Sequence, residues 1–160
     1  MRYPYDEAKL TEMVLYVAAR LQGDRSGGAT KLNKVLYFAD FAHVRRHGRP
    51  ISGAEYQKLP QGPAPRRLKP VRQRLVDEGA AAVETEDFLG YRLHRLVPRR
   101  QADLTLFDED ERATLDKVLD DLAGSPPPRS RSSRTRRRAG ACATRARPSR
   151  TRAPTPATRR

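Results

Sequence analysis

Three side chains that could bind a metal ion or transfer a proton follow one another in a segment that predicts a helix. Asp40, His43 and His47 are separated by three and then four residues, so an α-helix places them along one stripe. A carboxylate and two imidazoles are ligands that Zn²⁺ accepts, but no convincing further ligand stands near them. We therefore expect structural hydrogen bonds or salt bridges from these side chains, and neither a metal ion nor another cofactor.

Motifs that would indicate an enzyme are missing from the sequence. It contains no nucleophile with a nearby base, no phosphate-binding P-loop, no dinucleotide-binding fingerprint and no H-E-x-x-H zinc motif. Its single cysteine, Cys142, rules out an internal disulfide and a zinc site built from cysteines. We therefore expect no catalytic residues and no enzymatic activity.

The positive charge of the chain is concentrated at its C-terminal end. The formal net charge is +14, but residues 125–160 hold twelve arginines and no lysine or acidic residue, which leaves a net charge of +2 on residues 1–124. The same C-terminal segment has no Leu, Ile, Val, Met, Phe, Tyr or Trp, so it cannot form a core. We predict a folded domain over residues 1–124 and a disordered Arg/Pro/Ser-rich tail over residues 125–160.

Periodic apolar residues predict four helices that position the polar groups. Asp6 is suited to cap the first helix, Thr30 the second, and Asp108 with Glu111 has the spacing of a capping box for the fourth. The apolar positions of the four helices are Leu10, Met13, Val14, Val17, Ala18 and Leu21; Leu32, Val35, Leu36, Ala39 and Ala42; Leu68, Val71 and Leu75; and Leu115, Val118, Leu119 and Leu122.

The remaining segments predict one hairpin and one ordered loop. Phe38 and Phe41 are expected to broaden the buried face of the second helix and make it the most buried element. Residues 81–85 and 91–93 alternate like two strands joined by a turn, whereas residues 48–65 indicate an ordered loop with short extended pieces. The expected fold class is α+β, mostly helical, with one small sheet.

The order of residues from Thr30 to Pro63 carries a family resemblance. Residues 30–40 read TKLNKVLYFAD, and His43, then GRPISG at 48–53, Tyr56 and QGP at 61–63 follow. This order resembles the Panacea domain of SocA-like antitoxins, whose pattern is K-L-x-K-L-L-Y-x-A-D, a nearby His, G-x-P-[IL]-[ST]-G, an aromatic residue and G-P. The resemblance implies a bacterial or phage antitoxin that neutralises a partner toxin by stoichiometric binding, without catalysis.

Two groups of site residues follow from the resemblance and from the chemistry of the side chains. Lys31 and Lys34 share a face with Tyr37 and could contact an acidic partner, although charges on such a helix are often only its solvated side. The candidate partner-binding residues are Lys31, Lys34, Tyr37, Asp40, His43 and Tyr56, and the residues expected to shape the loop are Gly48, Pro50, Gly53, Gly62 and Pro63.

The tail departs from the family pattern. After the last helix the family continues with a segment resembling A-T-E-V-S-x-L-S-H-x-x-x-G-W and then T-I-P-Y, which Ser125–Arg136 and the residues after it do not match. A one-base change of frame near Gly124, with permitted codons, spells LTATEVSELSHE in its place. We expect a frameshift or a sequencing error there, and a domain truncated at its C-terminal side; the alternative is a genuine arginine-rich arm that binds nucleic acids only non-specifically.

A DNA-binding regulator is the alternative function. Three helices followed by a hairpin resemble the order of a winged helix, and the third helix carries basic residues that could meet phosphates. No apolar stretch approaches the ~20 residues that cross a bilayer, and the N-terminal residues MRYPYDE lack a signal-peptide core, so we expect a cytoplasmic location and no membrane partner. The basic residues in question are Arg66, Arg67, Lys69, Arg72 and Arg74.

Overall fold

The computed structural model describes residues 3–123, and within them it confirms an α+β, mostly helical fold. The predicted tail over residues 125–160, with Cys142, lies outside the described residues. The helices are α1 (Glu7–Arg20), α2 (Ala29–His47), α3 (Leu68–Asp77) and α4 (Glu109–Ala123), and the strands are β1 (Tyr56–Leu59), β2 (Gly62–Pro65), β3 (Ala81–Phe88) and β4 (Tyr91–Pro98).

The hydrophobic core is built around α1. Leu10, Met13, Val14, Leu15 and Val17 are all fully buried, and residues of the other three helices and of β4 pack against them. Burial of so many large apolar side chains from one short helix is the main source of its stability. The expectation that α2 is the most buried element is therefore wrong, because α1 lies deeper in the core.

The helix starts follow the predicted caps with one exception. Asp6 Oδ1 accepts a hydrogen bond from Lys9 N at 3.0 Å, and the capping box of α4 is reciprocal. Asp108 Oδ1 accepts from Glu111 N at 2.8 Å, and Glu111 Oε2 accepts from Asp108 N at 3.1 Å. The predicted cap at Thr30 is wrong: α2 begins at Ala29 after Gly28, where a Cβ atom would come within 2.3 Å of the Leu93 side chain.

Phe38 and Phe41 do not broaden the buried face of α2. They are 45% and 46% exposed, whereas Leu32, Val35, Leu36 and Ala39 are buried. At about 100° per residue, Phe41 points about 160° away from Ala39, which faces the core. The prediction was wrong because it counted apolar residues without following their direction around the helix.

The structure has two small antiparallel sheets where the sequence predicted one. The predicted hairpin is present as β3 and β4, and Leu89 and Gly90 form its turn with φ of 49° and 84°. The predicted ordered loop contains a second hairpin, in which β1 pairs with β2 from Tyr56↔Pro65 to Leu59↔Gly62. Strand β2 reads GPAP. Because proline has no backbone N–H to donate within a sheet, it is rare inside strands, and the sequence therefore predicts only a loop here.

A buried arginine fastens the β3–β4 hairpin to the loop between α1 and α2. Arg95 of β4 is 5% exposed. Its Nη1 donates to the carbonyl oxygens of Leu21 at 2.9 Å and Asp24 at 3.1 Å. Because several carbonyls accept from one guanidinium, the strand and the loop are held in a single arrangement.

Candidate partner-binding face

Asp40 holds the loop that follows α2. Its Oδ1 accepts hydrogen bonds from the backbone N–H groups of Ile51 and Ser52, both at 2.9 Å, and its Oδ2 accepts from Ser52 Oγ at 2.6 Å and from Tyr56 Oη at 2.7 Å. The side chain is almost fully buried, at 2% exposure. A buried carboxylate with four donors is stable because each lone-pair direction is used. Asp40 is thus occupied within the protein and positions Tyr56.

Tyr56 is kept neutral by its surroundings. Burial and then the adjacent Asp40 carboxylate raise the pKa of Tyr56 above its ordinary value. Its hydroxyl also lies 2.9 Å from the carbonyl oxygen of Leu36. The phenol therefore remains a hydrogen-bond donor, and the ring is fixed beside α2.

Two glycines of the predicted loop adopt positive φ. Gly48 ends α2 in the left-handed conformation, with φ of 73°, and its N–H donates to the carbonyl oxygen of Val44. Gly53 has φ of 65°, and a Cβ atom there would lie 2.1 Å from the carbonyl oxygen of Pro4. Of the other three predicted positions, Pro50 lines a cleft, Gly62 is the first residue of β2, and Pro63 pairs with Lys58 in the hairpin.

His43 makes a structural hydrogen bond, as the sequence analysis preferred. Its side chain is fully buried, and its Nδ1 lies 2.7 Å from the carbonyl oxygen of Arg49. The carbonyl can only accept, so Nδ1 carries the proton. The ring also stacks on His47, with centroids 4.5 Å apart. In the free chain His43 is buried and does not face a partner.

The structure gathers a different set of potential metal ligands from the one weighed in the sequence. A ring nitrogen of His43 and carboxylate oxygens of Asp108 and Glu111 lie within 4.8 Å of one another. Both carboxylates already bind cations: Glu111 accepts from Lys9 Nζ at 2.7 and 2.8 Å, and Asp108 accepts from Arg49 at 2.6 Å. Since the charges balance among these side chains, the group holds α4 against α1 and the end of α2.

Four aromatic side chains form a continuous surface, which we call the aromatic ridge: Tyr37, Phe38 and Phe41 of α2 and Tyr56 of β1. Ring centroids are 5.4 Å apart for Tyr37 and Phe38, 4.4 Å for Tyr37 and Phe41, and 5.3 Å for Tyr37 and Tyr56. The two phenylalanines leave nearly half of their surface in solvent. Clustered exposed aromatic side chains are typical of protein-binding surfaces.

A cleft opens beside the ridge, between α2, the N-terminal segment and the first hairpin. Its volume is about 470 Å³. The guanidinium of Arg67 lies over the ring of Tyr5, 4.9 Å from its centroid, and fixes one wall. We call it the tyrosine cleft; the lining residues used below are Tyr3, Tyr5, Phe41, Tyr56, Arg66 and Arg67.

The two predicted lysines have separate surroundings. Lys31 is 8% exposed and forms an ion pair with Asp24, so it belongs to the interior of the fold. Lys34 is partly exposed and lies near Gly62 of the first hairpin. Of the six predicted partner-binding residues, the structure brings Lys34, Tyr37 and Tyr56 together at one surface. Their role in binding stays a prediction.

Several residues of this surface were missed by the sequence analysis. Phe38 and Phe41 were assigned to the core, and Tyr5 was assigned no role. A helical wheel could have found Phe41, because its direction is opposite to that of the buried stripe. Nothing in the sequence brings Tyr5 to Arg67, because that contact joins residues far apart in the chain.

The sequence of the chain matches the model of one protein family. Residues 32–127 match the family model of antitoxin SocA-like proteins with a Panacea domain. The chain belongs to that family. The resemblance predicted from residues 30–63 is thereby confirmed. The match covers α2 from Leu32 onward, α3, both hairpins and α4, so the matched region includes the aromatic ridge.

Neither a curated protein nor a solved structure matches the chain. Among residues 3–123, none of the helices is long and apolar enough to cross a membrane.

Proposed function

We propose that the chain is an antitoxin that neutralises a partner toxin by direct binding through the aromatic ridge. Membership of the SocA-like family supports an antitoxin role. The observation that carries the choice of surface is the exposure of Phe38 and Phe41 beside Tyr37 and Tyr56. A partner that covers these rings removes apolar area from water and gains the contacts on which tight interfaces depend. No bond is made or broken.

Polar groups beneath the ridge keep it in one shape before a partner arrives. Asp40 holds Tyr56, and Tyr56 packs against Tyr37 and Phe41 with centroids 5.3 and 6.0 Å away. Binding to a surface that is already ordered costs less conformational entropy. The buried network therefore contributes to recognition without touching the partner.

A DNA-binding role receives less support from the side chains of α3. Arg74 forms an ion pair with Glu7, and Arg72 is only partly exposed. On the hairpin that would act as a wing, exposed Glu84, Glu86 and Asp87 of β3 outnumber the exposed Arg92 of β4, which makes this surface a poor match for phosphates. These observations favour a protein partner.

Co-expression with the product of the adjacent gene tests the proposal. We expect the wild-type chain to restore growth and to form a complex with that product, and Phe41→Asp to do neither, because a charge would be buried against the partner. Tyr91→Asp is the matched control, since Tyr91 is 49% exposed on the β3–β4 hairpin, away from the ridge. A toxic neighbour that Phe41→Asp still neutralises would contradict the proposed surface.

A further inference from the structure

The aromatic ridge is surrounded by cations that form no ion pair within the described part of the chain. Arg66 and Arg67 line the tyrosine cleft, and neither forms an ion pair with a residue in the range 3–123. Lys34 and Arg45 stand four residues before Phe38 and four after Phe41, which places them on the same stripe of α2. The ridge is therefore apolar at its centre and positive at its edges.

Two carboxylates also line the cleft, so its formal charge, with the two guanidiniums, is zero. One of them, Asp40, is almost fully buried, and its oxygens accept four hydrogen bonds from neutral donors. Glu55 is the other. The positive excess around the ridge comes from Lys34 and Arg45. An incoming carboxylate meets the exposed guanidiniums of Arg66 and Arg67 rather than the buried Asp40.

A buried hydroxyl in the cleft wall lacks a hydrogen-bond partner. Tyr5 Oη is shielded from solvent, and no atom of residues 3–123 accepts from it. Burial is also the main reason that the pKa of Tyr5 is raised, so the phenol keeps its proton. A buried donor without an acceptor is costly; an acceptor in the cleft reaches this hydroxyl only if Tyr5 shifts, and the shift then removes that cost.

We infer that the tyrosine cleft takes an acidic segment of the partner protein, with an apolar side chain against Phe41 and Tyr56 and a neighbouring carboxylate at Arg66 and Arg67. The inference rests on the proposed function in taking this partner to be the toxin. The cleft volume of about 470 Å³ matches a side chain with part of its backbone. Arginine binds carboxylates through two parallel hydrogen bonds, which gives the site directional specificity.

A protein segment suits this surface better than a nucleic acid strand. Three of the four aromatic contacts are edge-to-face, with interplanar angles of 72°, 81° and 61°. Ring faces that already pack against neighbouring rings offer little area for stacking nucleobases. Apolar side chains have no need of a free ring face, so they fit between the rings.

Peptide selection on the full-length chain tests the inference without knowledge of the toxin. A phage-displayed library of random peptides is first depleted on Arg66→Glu and then selected on the wild-type chain. Both proteins carry the arginine-rich residues 125–160, so acidic peptides held only by that segment are removed. We expect the survivors to combine an aliphatic or aromatic residue with a nearby Asp or Glu.

The affinity of one selected peptide for the wild-type and variant chains then tests whether Arg66 binds a carboxylate of the peptide. We expect Arg66→Glu to weaken the affinity for this peptide at least about tenfold, which corresponds to one lost charge-assisted hydrogen bond. Replacing the Asp or Glu of the peptide by Asn or Gln should weaken its affinity for the wild-type chain by a similar factor. Arg112→Glu on α4 is the matched control and should bind normally, since Arg112 is also exposed and lies outside the cleft. Should Arg66→Glu lower the melting temperature, Arg66→Gln replaces it.

Three outcomes would overturn the inference: no peptide survives depletion, survivors lack acidic residues, or Arg112→Glu weakens binding as much as Arg66→Glu. Binding of an oligouridine that depends on Arg66 would also overturn it, in favour of a nucleic acid. Failure here is distinct from failure of the proposed function. If Phe41→Asp abolishes neutralisation and Arg66→Glu does not, the toxin binds the ridge without an acidic group in the cleft.

Discussion

The single most connected side chain of the binding face is Asp40, and its charge is the first thing to test. Asp40→Asn keeps the shape but replaces one acceptor oxygen by an N–H₂ group that faces the donors from Ser52 and Tyr56. We expect a loss of about 2 to 3 kcal/mol in the free energy of unfolding, since buried groups left unsatisfied cost this much. Urea denaturation measures it.

The matched control for Asp40→Asn is Asp87→Asn, because Asp87 is exposed on β3. It should change the free energy of unfolding by less than about 0.5 kcal/mol. Equal losses in both variants would contradict the hydrogen-bond network described for Asp40.

Glu12 governs part of the stability at acidic pH. It accepts two hydrogen bonds from Arg100, at 2.8 and 2.6 Å, and one from Asp103 N at 2.7 Å. The bonds from Arg100 hold the pKa of Glu12 below its ordinary value, against the opposing effect of burial. A lowered pKa in the folded state means that this contribution is complete above the unfolded-state pKa of about 4.3 and is lost as the pH falls below it.

Glu12→Gln should therefore make the free energy of unfolding less dependent on pH in the acidic range. We expect the difference in free energy of unfolding between wild type and Glu12→Gln to be about 2 kcal/mol near pH 7 and to shrink below about pH 4. Urea titrations from pH 3 to pH 7 give this difference. Glu84→Gln, at an exposed position of β3, should show no such convergence.

At the scale of elements, the loop after α2 depends on how closely it approaches the N-terminal segment. Gly53 and Gly79 both have positive φ, of 65° and 71°, but a Cβ atom would meet Pro4 O at 2.1 Å in the first case and nothing within 4 Å in the second. Gly79→Ala should cost about 1 kcal/mol from the backbone alone. Gly53→Ala should cost at least about twice as much, measured by urea denaturation, because Pro4 must also move.

Equal costs for the two alanine variants would mean that the N-terminal segment moves away from Gly53 freely. In that case the wall of the tyrosine cleft formed by Tyr3 and Tyr5 is not fixed by the loop.

How far the sequence predicted the fold differs from one element to the next. The helices were predictable because caps and apolar spacing are local signals: Asp6, the Asp108–Glu111 box and the stop at Gly48 are all in place. The first hairpin was not, since its strand β2 contains two prolines and is held by packing against α2. Tertiary packing there outweighs the local preference.

The candidate site was only partly predictable for a related reason. Family resemblance singled out Tyr37, Asp40 and Tyr56, which the structure joins in one network with the ridge. Resemblance also selected Lys31 and His43, which are buried and bonded internally. A sequence motif contains both the residues that maintain the fold and the residues that contact a partner. Only the burial of each side chain separates the two groups.

At the scale of the whole molecule, the arginine-rich C-terminal segment and the nearly neutral domain before it should differ in their affinity for DNA. Residues 125–160 carry twelve arginines, whereas residues 1–124 have a net charge of +2. We expect the full chain to bind duplex DNA without sequence preference and to lose affinity steeply as salt rises. A chain ending at residue 124 should lose most of this binding, measured by fluorescence anisotropy between 50 and 200 mM salt; retained binding would favour a regulator of the winged-helix kind.

The predicted change of frame near Gly124 stays a prediction that the coding DNA can test. If the bases after Gly124 spell the S-H and T-I-P-Y elements in the neighbouring frame, the arginine-rich segment is a product of the shift. If they do not, the segment is an arm in its own right.

The buried guanidinium of Arg95 has a consequence for how the protein opens. Because it bonds the carbonyls of Leu21 and Asp24 from within β4, the strand cannot separate from the loop without breaking several charge-assisted hydrogen bonds at once. The amide protons of β4 and of residues 24–28 should therefore exchange with deuterium at matching rates, as one cooperative unit. Arg95→Met would uncouple them and let the strand exchange first.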